Sequence, residues 1–355
     1  MTQSPQLPRY DRTRSYEWNY AHAPDPLERD VPALRGRWTF CGLPVGSPLG
    51  MPAGPLLNGR WILFYARLGF DVLTYKTVRS VARQCYPLPN LLPVRCGQLH
   101  GGESELPAME QMDGSWAVSF GMPSQAPDAW RADIEWTRNR LPAEQVLSVS
   151  VVGSMEEDWT LDDLAEDYAR CARWAVDSGA DAIETNFSCP NVSTCDGQLY
   201  QEPKSAAVVA ARVRESIGHT PYLVKIGHVA DEEQATRLLE AIAPLIDGLA
   251  MTNSVAATVV SVQRERQFGG EPRGICGDAT RTASLRQAGR FSQQIEQRGD
   301  KLDLVGVGGV SSAGHVRDYL AAGVRSVHIA TAAMTDPLVG IRIREELAGE
   351  KGLSQ

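Results

Sequence analysis

No apolar run in this sequence approaches the roughly 20 residues that cross a bilayer, so nothing in it reads as a membrane-spanning helix. The opening Met1-Thr2-Gln3-Ser4-Pro5 starts a polar, proline-containing segment without the apolar core of a secretory signal. There is no CxxC pair. The cysteines are odd in number and scattered (Cys41, Cys85, Cys96, Cys171, Cys189, Cys195 and Cys276), which speaks against a structural zinc or clustered iron–sulfur site. No metal site is expected, and a reducing, cytoplasmic compartment is. An excess of positive charge is missing too: the net charge is −8, which suits solubility and not a nucleic-acid groove. What remains, 43% hydrophobic and 22% charged residues, is ordinary globular composition.

A chain of 355 residues holds two average domains or one large α/β barrel. A barrel takes roughly 250 residues, leaving about 100 for an N-terminal extension and loop insertions. Residues 1–37 are polar, dotted with aromatics and without a clear period. They read as an arm lying on the barrel or on a partner subunit, with the barrel itself spanning 38–350. From Trp38 to Val45 a small hairpin is predicted, followed by a first strand at Gly50-Met51-Pro52-Ala53. Further buried strands are predicted at Asp71 to Lys76, Gln145 to Val151, Asp181 to Asn186, Tyr222 to Lys225, Asp247 to Thr252, Asp303 to Val307 and Ser326 to Ala330.

Helical spacing intervenes, as in Leu161, Leu164, Tyr168, Cys171 and Ala175, with Thr160 and Asp163 placed to cap that helix and Gly179 to stop it. Asp231 begins another helix, and Asp336-Pro337 is expected to cap and open the last. About eight strand–helix units favour a closed (β/α)₈ barrel over an open sheet. Two segments, Val81 to Ala117 and Ser254 to Thr280, do not fit the repeat. Both follow strands, so both are expected to cover the catalytic face as long functional loops.

Glycines at Val305-Gly306-Val307-Gly308-Gly309-Val310-Ser311 fall where the seventh strand meets its loop, and Ile329-Ala330-Thr331-Ala332 occupies the same place after the eighth. One glycine pair alone is compatible with a plain tight turn. Two such loops in register make a concave site of backbone amides suited to phosphate. The run Glu184-Thr185-Asn186-Phe187-Ser188-Cys189-Pro190-Asn191 leaves a strand end for a loop. A lone cysteine is usually a small buried hydrophobe, but here a thiol and two amides share a strand end over the barrel mouth. Cys195 reads as incidental. Lys76 and Lys225 also end strands, where a surface ion pair is the plain alternative.

The run Asn186-Phe187-Ser188-Cys189-Pro190-Asn191 resembles the active-site loop of the FMN-dependent dihydroorotate dehydrogenases, in the soluble class that uses cysteine as its base. The resemblance extends from about Gly42 to Leu347. Ser47 to Gly54 is similar to the family's first strand, which implies that Ala53 and Gly54 lie against the flavin. It implies further that Lys76 reaches flavin and substrate, and that Lys225 sits at the flavin's electron-rich N1–C2=O edge. Phe268-Gly269-Gly270 with Gly274 to Gly277 resembles the glycine-rich flavin loop, and Gly308, Gly309, Ala330 and Thr331 match the phosphate grip. Asn186, Asn191, Asn253, Ser254, Gly121 and Met122 are the implied substrate contacts, Asn253 and Ser254 within the run Thr252-Asn253-Ser254 that matches the family's strand-six contact. Cys189 and Lys76 are the implied catalytic residues.

Such an enzyme removes a proton and a hydride from a CH–CH bond beside a carbonyl. The flavin takes the hydride, and a thiolate whose ordinary pKa of about 8.5 is lowered by cations takes the proton. One departure bears on substrate. The family has an asparagine before its Ser-Met-Gly-Leu-Pro-Asn loop, where this chain reads Val118-Ser119-Phe120-Gly121-Met122-Pro123-Ser124. Valine cannot donate, so a dihydroorotate-like or other cyclic unsaturated small molecule is the implied substrate, with a dihydropyrimidine-type reduction as the nearby alternative. The lysine of the membrane class is absent, with Leu57 near its place. The resemblance implies a homodimer and leaves the electron acceptor open. Readings of another class are a Schiff-base aldolase using Lys76 or Lys225 on a phosphorylated substrate, and a non-catalytic flavin-binding protein.

Overall fold

Along Val72–Val78 and Val146–Val151 every residue is buried. Strands covered on both faces are buried along their whole length, and here they mark the wall of a barrel. The computed structural model describes residues 7–103, 105–188 and 198–349. In chain order, the arm forms α1 (Tyr16–Ala21), begun by Ser15, whose side chain accepts from the Trp18 amide. The hairpin β1 (Trp38–Phe40) and β2 (Leu43–Val45) follows, then β3 (Leu49–Met51), α2 (Gly59–Ala66) and β4 (Val72–Val78). Next come β5 (Leu91–Pro93), β6 (Glu105–Pro107), β7 (Ser115–Val118) and α3 (Pro127–Arg138), before β8 (Val146–Val151) and α4 (Leu161–Asp177). The chain continues through β9 (Ala182–Asn186), α5 (Pro203–Ile217), β10 (Tyr222–Lys225), α6 (Glu232–Ile242) and β11 (Gly248–Met251). After β12 (Val255–Val260) and β13 (Arg273–Gly277), it ends in α7 (Arg281–Arg298), β14 (Asp303–Val307), α8 (Ala313–Ala321), β15 (Ser326–His328), α9 (Thr331–Thr335) and α10 (Val339–Ala348).

Strands β3, β4, β8, β9, β10, β11, β14 and β15 are parallel neighbours in that order, and β15 pairs back onto β3 to close an eight-stranded barrel. The expected (β/α)₈ fold is therefore present. The β1–β2 hairpin closes one end: Trp38, Phe40 and Val45 pack with Val72, Val146, Ala182, Leu223, Ala250, Val305 and Val307. Each large apolar side chain sealed there contributes about 1.5–3 kcal/mol. Because inward positions recur every second residue, these apolar residues place Lys76, Ser148, Glu184, Asn186, Lys225 and Thr252 on the same inner face further along the strands. The barrel interior thus turns from apolar to polar towards its C-terminal mouth. The far end of the chain is tied in by Arg344, whose Nε donates to Gly69 O (2.8 Å) and whose guanidinium pairs with buried Asp71.

Thr160 and Asp163 form the predicted reciprocal cap of α4. Asp231 likewise caps α6, its side chain accepting from the Glu233 amide. Two expectations need correction. Helix α10 begins at Val339, not at Pro337, because the Asp336 carboxylate accepts from the Leu338 amide (3.1 Å) and its carbonyl from the Val339 amide (3.1 Å), making a separate turn. The segments Val81 to Ala117 and Ser254 to Thr280 are not plain loops: they supply all five strands of a second sheet, ordered β5-β7-β13-β12-β6. Its strands are only three to six residues long and pair across the sequence, as in Gly274 with Val118, so no local period betrays them. The sheet still stands over the barrel mouth, as expected of those segments. Among the described residues no helix is long and apolar enough to cross a membrane.

Candidate active site

A continuous cleft runs across the C-terminal mouth of the barrel, where fold geometry gathers the strand-end loops. It joins a cavity of about 380 Å³ at the β14 and β15 loops to one of about 130 Å³ over β4, β9 and β10, and Asn253, Cys276, Val307, Ala330 and Thr331 border both.

The first end gathers the residues expected to grip a phosphate. Gly308, Gly309, Ala330 and Thr331 line it, with Gly277 opposite. The structure adds a reason for the glycines. Gly308 has φ +136° and Gly309 φ +67°, and a Cβ on Gly308 would lie 2.3 Å from Ser284 Oγ. The loop after β14 is thus pressed against the first turns of α7, and side chains there would push its amides out of place. Arg9 of the arm also borders this cavity and donates to Thr335 O (3.1 Å).

The second end holds the lysines. Between Tyr75 and Val78 strand β4 carries one residue more than β8, and this bulge lets consecutive residues, Lys76 and Thr77, both face the cleft. Lys76 is buried, with its Nζ 5.9 Å from the centre of the Phe120 ring. Lys225 Nζ lies 3.0 Å from Glu184 Oε1, with both side chains buried. Lys225 therefore forms a buried ion pair, not the surface pair that was its plain alternative. Ala53 and Gly54 from the loop after β3, Gly121 and Met122 from the loop after β7, and Asn186, Asn253 and Ser254 line the same space. Asn186 Nδ2 contacts Met122 Sδ (3.4 Å), and its Oδ1 accepts from the Ser188 amide (3.2 Å). Asn253 Nδ2 donates to Ser188 O (2.7 Å), which ties the end of β11 to the loop leaving β9. Cys189 and Asn191 lie outside the described residues, directly beyond Ser188. Phe268, Gly269 and Gly270 stand apart from the cleft lining. Their turn packs on the second sheet, with the Arg273 guanidinium 5.3 Å from the Phe268 ring.

One site residue, His328, escaped the sequence reading, which held Thr252 in the strand-six run and Cys276 inside the Gly274 to Gly277 segment. Cys276 borders both cavities, and burial pushes its thiol up to about 12 although Lys225 opposes this, so it is a neutral donor to Asn253 O (3.5 Å). Thr252 and His328 border the anion-side cavity. Their Thr252 Oγ1, His328 Nδ1 and His328 Nε2 are buried without a hydrogen-bond partner. Burial, then Lys225, lowers the His328 imidazole to about 3 and keeps it neutral. Alternation back from Ala330 would have placed His328 inside the barrel.

A glycine-bordered end, two buried lysines at the other and the lining shared between them fit the elongated, phosphate-bearing FMN expected from the sequence. Residues 37–350 match the family model described as dihydroorotate dehydrogenase. The dihydroorotate dehydrogenase of Dictyostelium discoideum is 29% identical over 360 residues, covering 94% of this chain and 96% of that protein. The catalytic subunit of dihydroorotate dehydrogenase B (NAD(+)) from Desulforudis audaxviator is 26% identical over 312 residues, covering 87% of this chain and 90% of its own. Among solved structures, the DHODH of Eimeria tenella in complex with ferulenol superposes with a TM-score of 0.72 at 19% identity, over 93% of this chain and 88% of that one, a likeness of fold. A match over so much of the barrel sets the aldolase reading aside: the chain belongs to the dihydroorotate dehydrogenase family of FMN-dependent oxidoreductases.

Proposed function

We propose that this enzyme oxidises dihydroorotate, or a closely related cyclic amide, across a CH–CH bond beside a carbonyl, with Cys189 as the base. The observation that carries this is the Asn253–Ser188 hydrogen bond, because it pins the residue before Cys189 to the edge of the lysine-bearing end of the cleft. FMN, when bound, supplies the hydride acceptor. Gly308, Gly309, Ala330, Thr331 and Gly277 hold its phosphate end, while Ala53, Gly54, Lys76 and Lys225 surround its ring. Asn186, Asn191, Asn253 and Ser254 orient the substrate by paired donor and acceptor contacts, with Gly121 and Met122 closing over it. Cys189 Sγ then takes the proton from the substrate carbon, and Lys76 both positions the substrate and favours the thiolate. Glu184 fixes Lys225 in place.

Val118 faces the cleft where the family resemblance puts an amide. That observation favours a second reading, in which the substrate is a ring without the carboxylate of dihydroorotate. The same proposal includes residues 1–37 as an arm accessory to one catalytic unit, supported by the bond from Asn58 Nδ2 to Tyr20 O (2.9 Å). It also includes a homodimer, an external electron acceptor and a reducing, cytoplasmic setting. The last is supported by the free thiols of Cys41, Cys85, Cys96, Cys171 and Cys276.

The test is an anaerobic titration of the yellow protein with dihydroorotate, alongside Cys189→Ser. Bleaching of the flavin band in wild type, slowed at least about tenfold in the variant with flavin still bound, is the expected outcome. A variant reduced as fast as wild type removes Cys189 from the reaction. A flavin that ignores dihydroorotate moves the substrate to the second reading.

A further inference from the structure

We propose that the N-terminal arm positions the substrate: Tyr10 and Tyr16 hold Phe120 in place beside Lys76, and so set one wall of the lysine-bearing end of the cleft. The inference rests on the substrate reading above. Residues 1–37 show no hydrophobic period, yet Tyr10 and Tyr16 are only 7% and 4% exposed and belong to the main core together with Phe120. Asn19 brings the two tyrosines to one place. Its Nδ2 donates to Asp11 O (2.9 Å) and its Oδ1 accepts from the Asp11 amide (2.8 Å), which folds the arm back on itself. Trp61 Nε1 of α2 donates to Asn19 O (3.1 Å) and fastens that fold to the barrel. Tyr10 directly precedes Asp11 and Tyr16 opens α1, so both rings reach the same spot.

That spot is the ring of Phe120. Tyr10 meets it at 5.9 Å and 90°, and Tyr16 at 6.1 Å and 69°, the edge-on arrangement that aromatic pairs prefer. Burial raises the pKa of both phenols, so each ring meets Phe120 uncharged. Tyr10 Oη is buried without a hydrogen-bond partner, so it is the ring and not the hydroxyl that this contact uses. Phe120 borders the lysine-bearing cavity together with Lys76, Gly121 and Met122, whereas neither tyrosine does. Its ring lies 5.9 Å from Lys76 Nζ, within reach of a cation–π contact. The Phe120 carbonyl accepts from the Tyr86 amide (3.1 Å), so the covering segment holds its backbone while the arm holds its ring. Edge contacts from two tyrosines resist rotation of that ring. A wall set before the substrate arrives loses little freedom on binding, which favours affinity. Tyr10 and Tyr16 are therefore positioning residues that act through Phe120.

The experiment follows anaerobic reduction of the flavin in the full-length holoenzyme over a range of dihydroorotate concentrations, with FMN affinity measured alongside. Tyr10→Leu should raise the half-saturating dihydroorotate concentration about tenfold, equivalent to about 1.4 kcal/mol, and leave FMN affinity unchanged. The limiting rate should change by less than about threefold, the pattern of a lost binding contact. Tyr10→Phe, which keeps the ring, should restore the affinity for dihydroorotate. Tyr16→Leu should behave like Tyr10→Leu and carries the test if Tyr10→Leu does not fold. Phe120→Leu checks the route: once Phe120 is gone, adding Tyr10→Leu should weaken dihydroorotate no further. A second loss of about tenfold in that background would overturn the inference, because the tyrosine would then act by another path. So would unchanged half-saturation in both tyrosine variants, or FMN weakened by the same factor as dihydroorotate. A wild-type flavin that ignores dihydroorotate would bring down the substrate reading and this inference with it, a result distinct from all of these.

Discussion

Replacing Glu184 by glutamine keeps the shape of the side chain and deletes its charge. Lys225, whose Nζ sits 3.0 Å from Glu184 Oε1 with the two side chains only 7% and 4% exposed, would then face a neutral amide. Removing one partner of a buried pair costs about 3–5 kcal/mol, most of it from the charge left behind. Unfolding releases about 2.1 cal/mol/K for each residue, so over this chain that cost corresponds to a fall in Tm of about 4–7 °C. The assay is thermal unfolding of the flavin-free protein followed by circular dichroism. The double variant Glu184→Gln with Lys225→Met removes both charges and should regain most of the lost stability. A single variant within about 1 °C of wild type, or a double variant no more stable than the single, would refute the reasoning.

Gly308→Asp should lower FMN affinity by about tenfold or more, because its carboxylate would stand beside the phosphate and its Cβ within 2.3 Å of Ser284 Oγ. Fluorescence of released FMN reads this, and unchanged affinity would put the phosphate elsewhere. His328 titrates at about 3 in the folded protein against 6.5 ordinarily, so the unfolded chain takes up that proton first. Stability should therefore fall as pH drops from about 6.5 towards about 3, by up to about 1.4 kcal/mol per pH unit from this group. Urea unfolding of wild type and His328→Gln isolates the effect, and a difference that stays flat with pH would contradict it. Val118→Asn should raise kcat/KM for dihydroorotate about tenfold if a missing donor limits its use. No gain would turn attention to the part of the cover sheet supplied by Val81 to Ala117.

Much of this protein was legible locally. The cap of α4 by Thr160 and Asp163 depends on residues three apart, and the barrel strands announce themselves as apolar runs because both of their faces are buried. Ala53, Lys76, Lys225, Gly308, Gly309 and Thr331 could be placed at one mouth from their positions at strand ends, since a parallel barrel puts every such end on the same side. Whether two strand-end lysines meet a carboxylate or solvent is a different kind of question. Glu184 and Lys225 are 41 residues apart and become neighbours only through the pairing of β9 with β10. The five-stranded cover sheet was invisible for the same reason, as its short strands find partners across the chain and not along it. The bulge that turns Lys76 and Thr77 together into the cleft depends on how β4 lies against β8. The unsatisfied imidazole of His328 exists because Phe40, Gly50 and Lys225, from three distant segments, close around it. Local pattern set the elements and their order, because hydrophobic period and capping act within a few residues. Electrostatic pairing and hydrogen-bond satisfaction inside the barrel were settled only by closure, because they depend on which strands stand side by side.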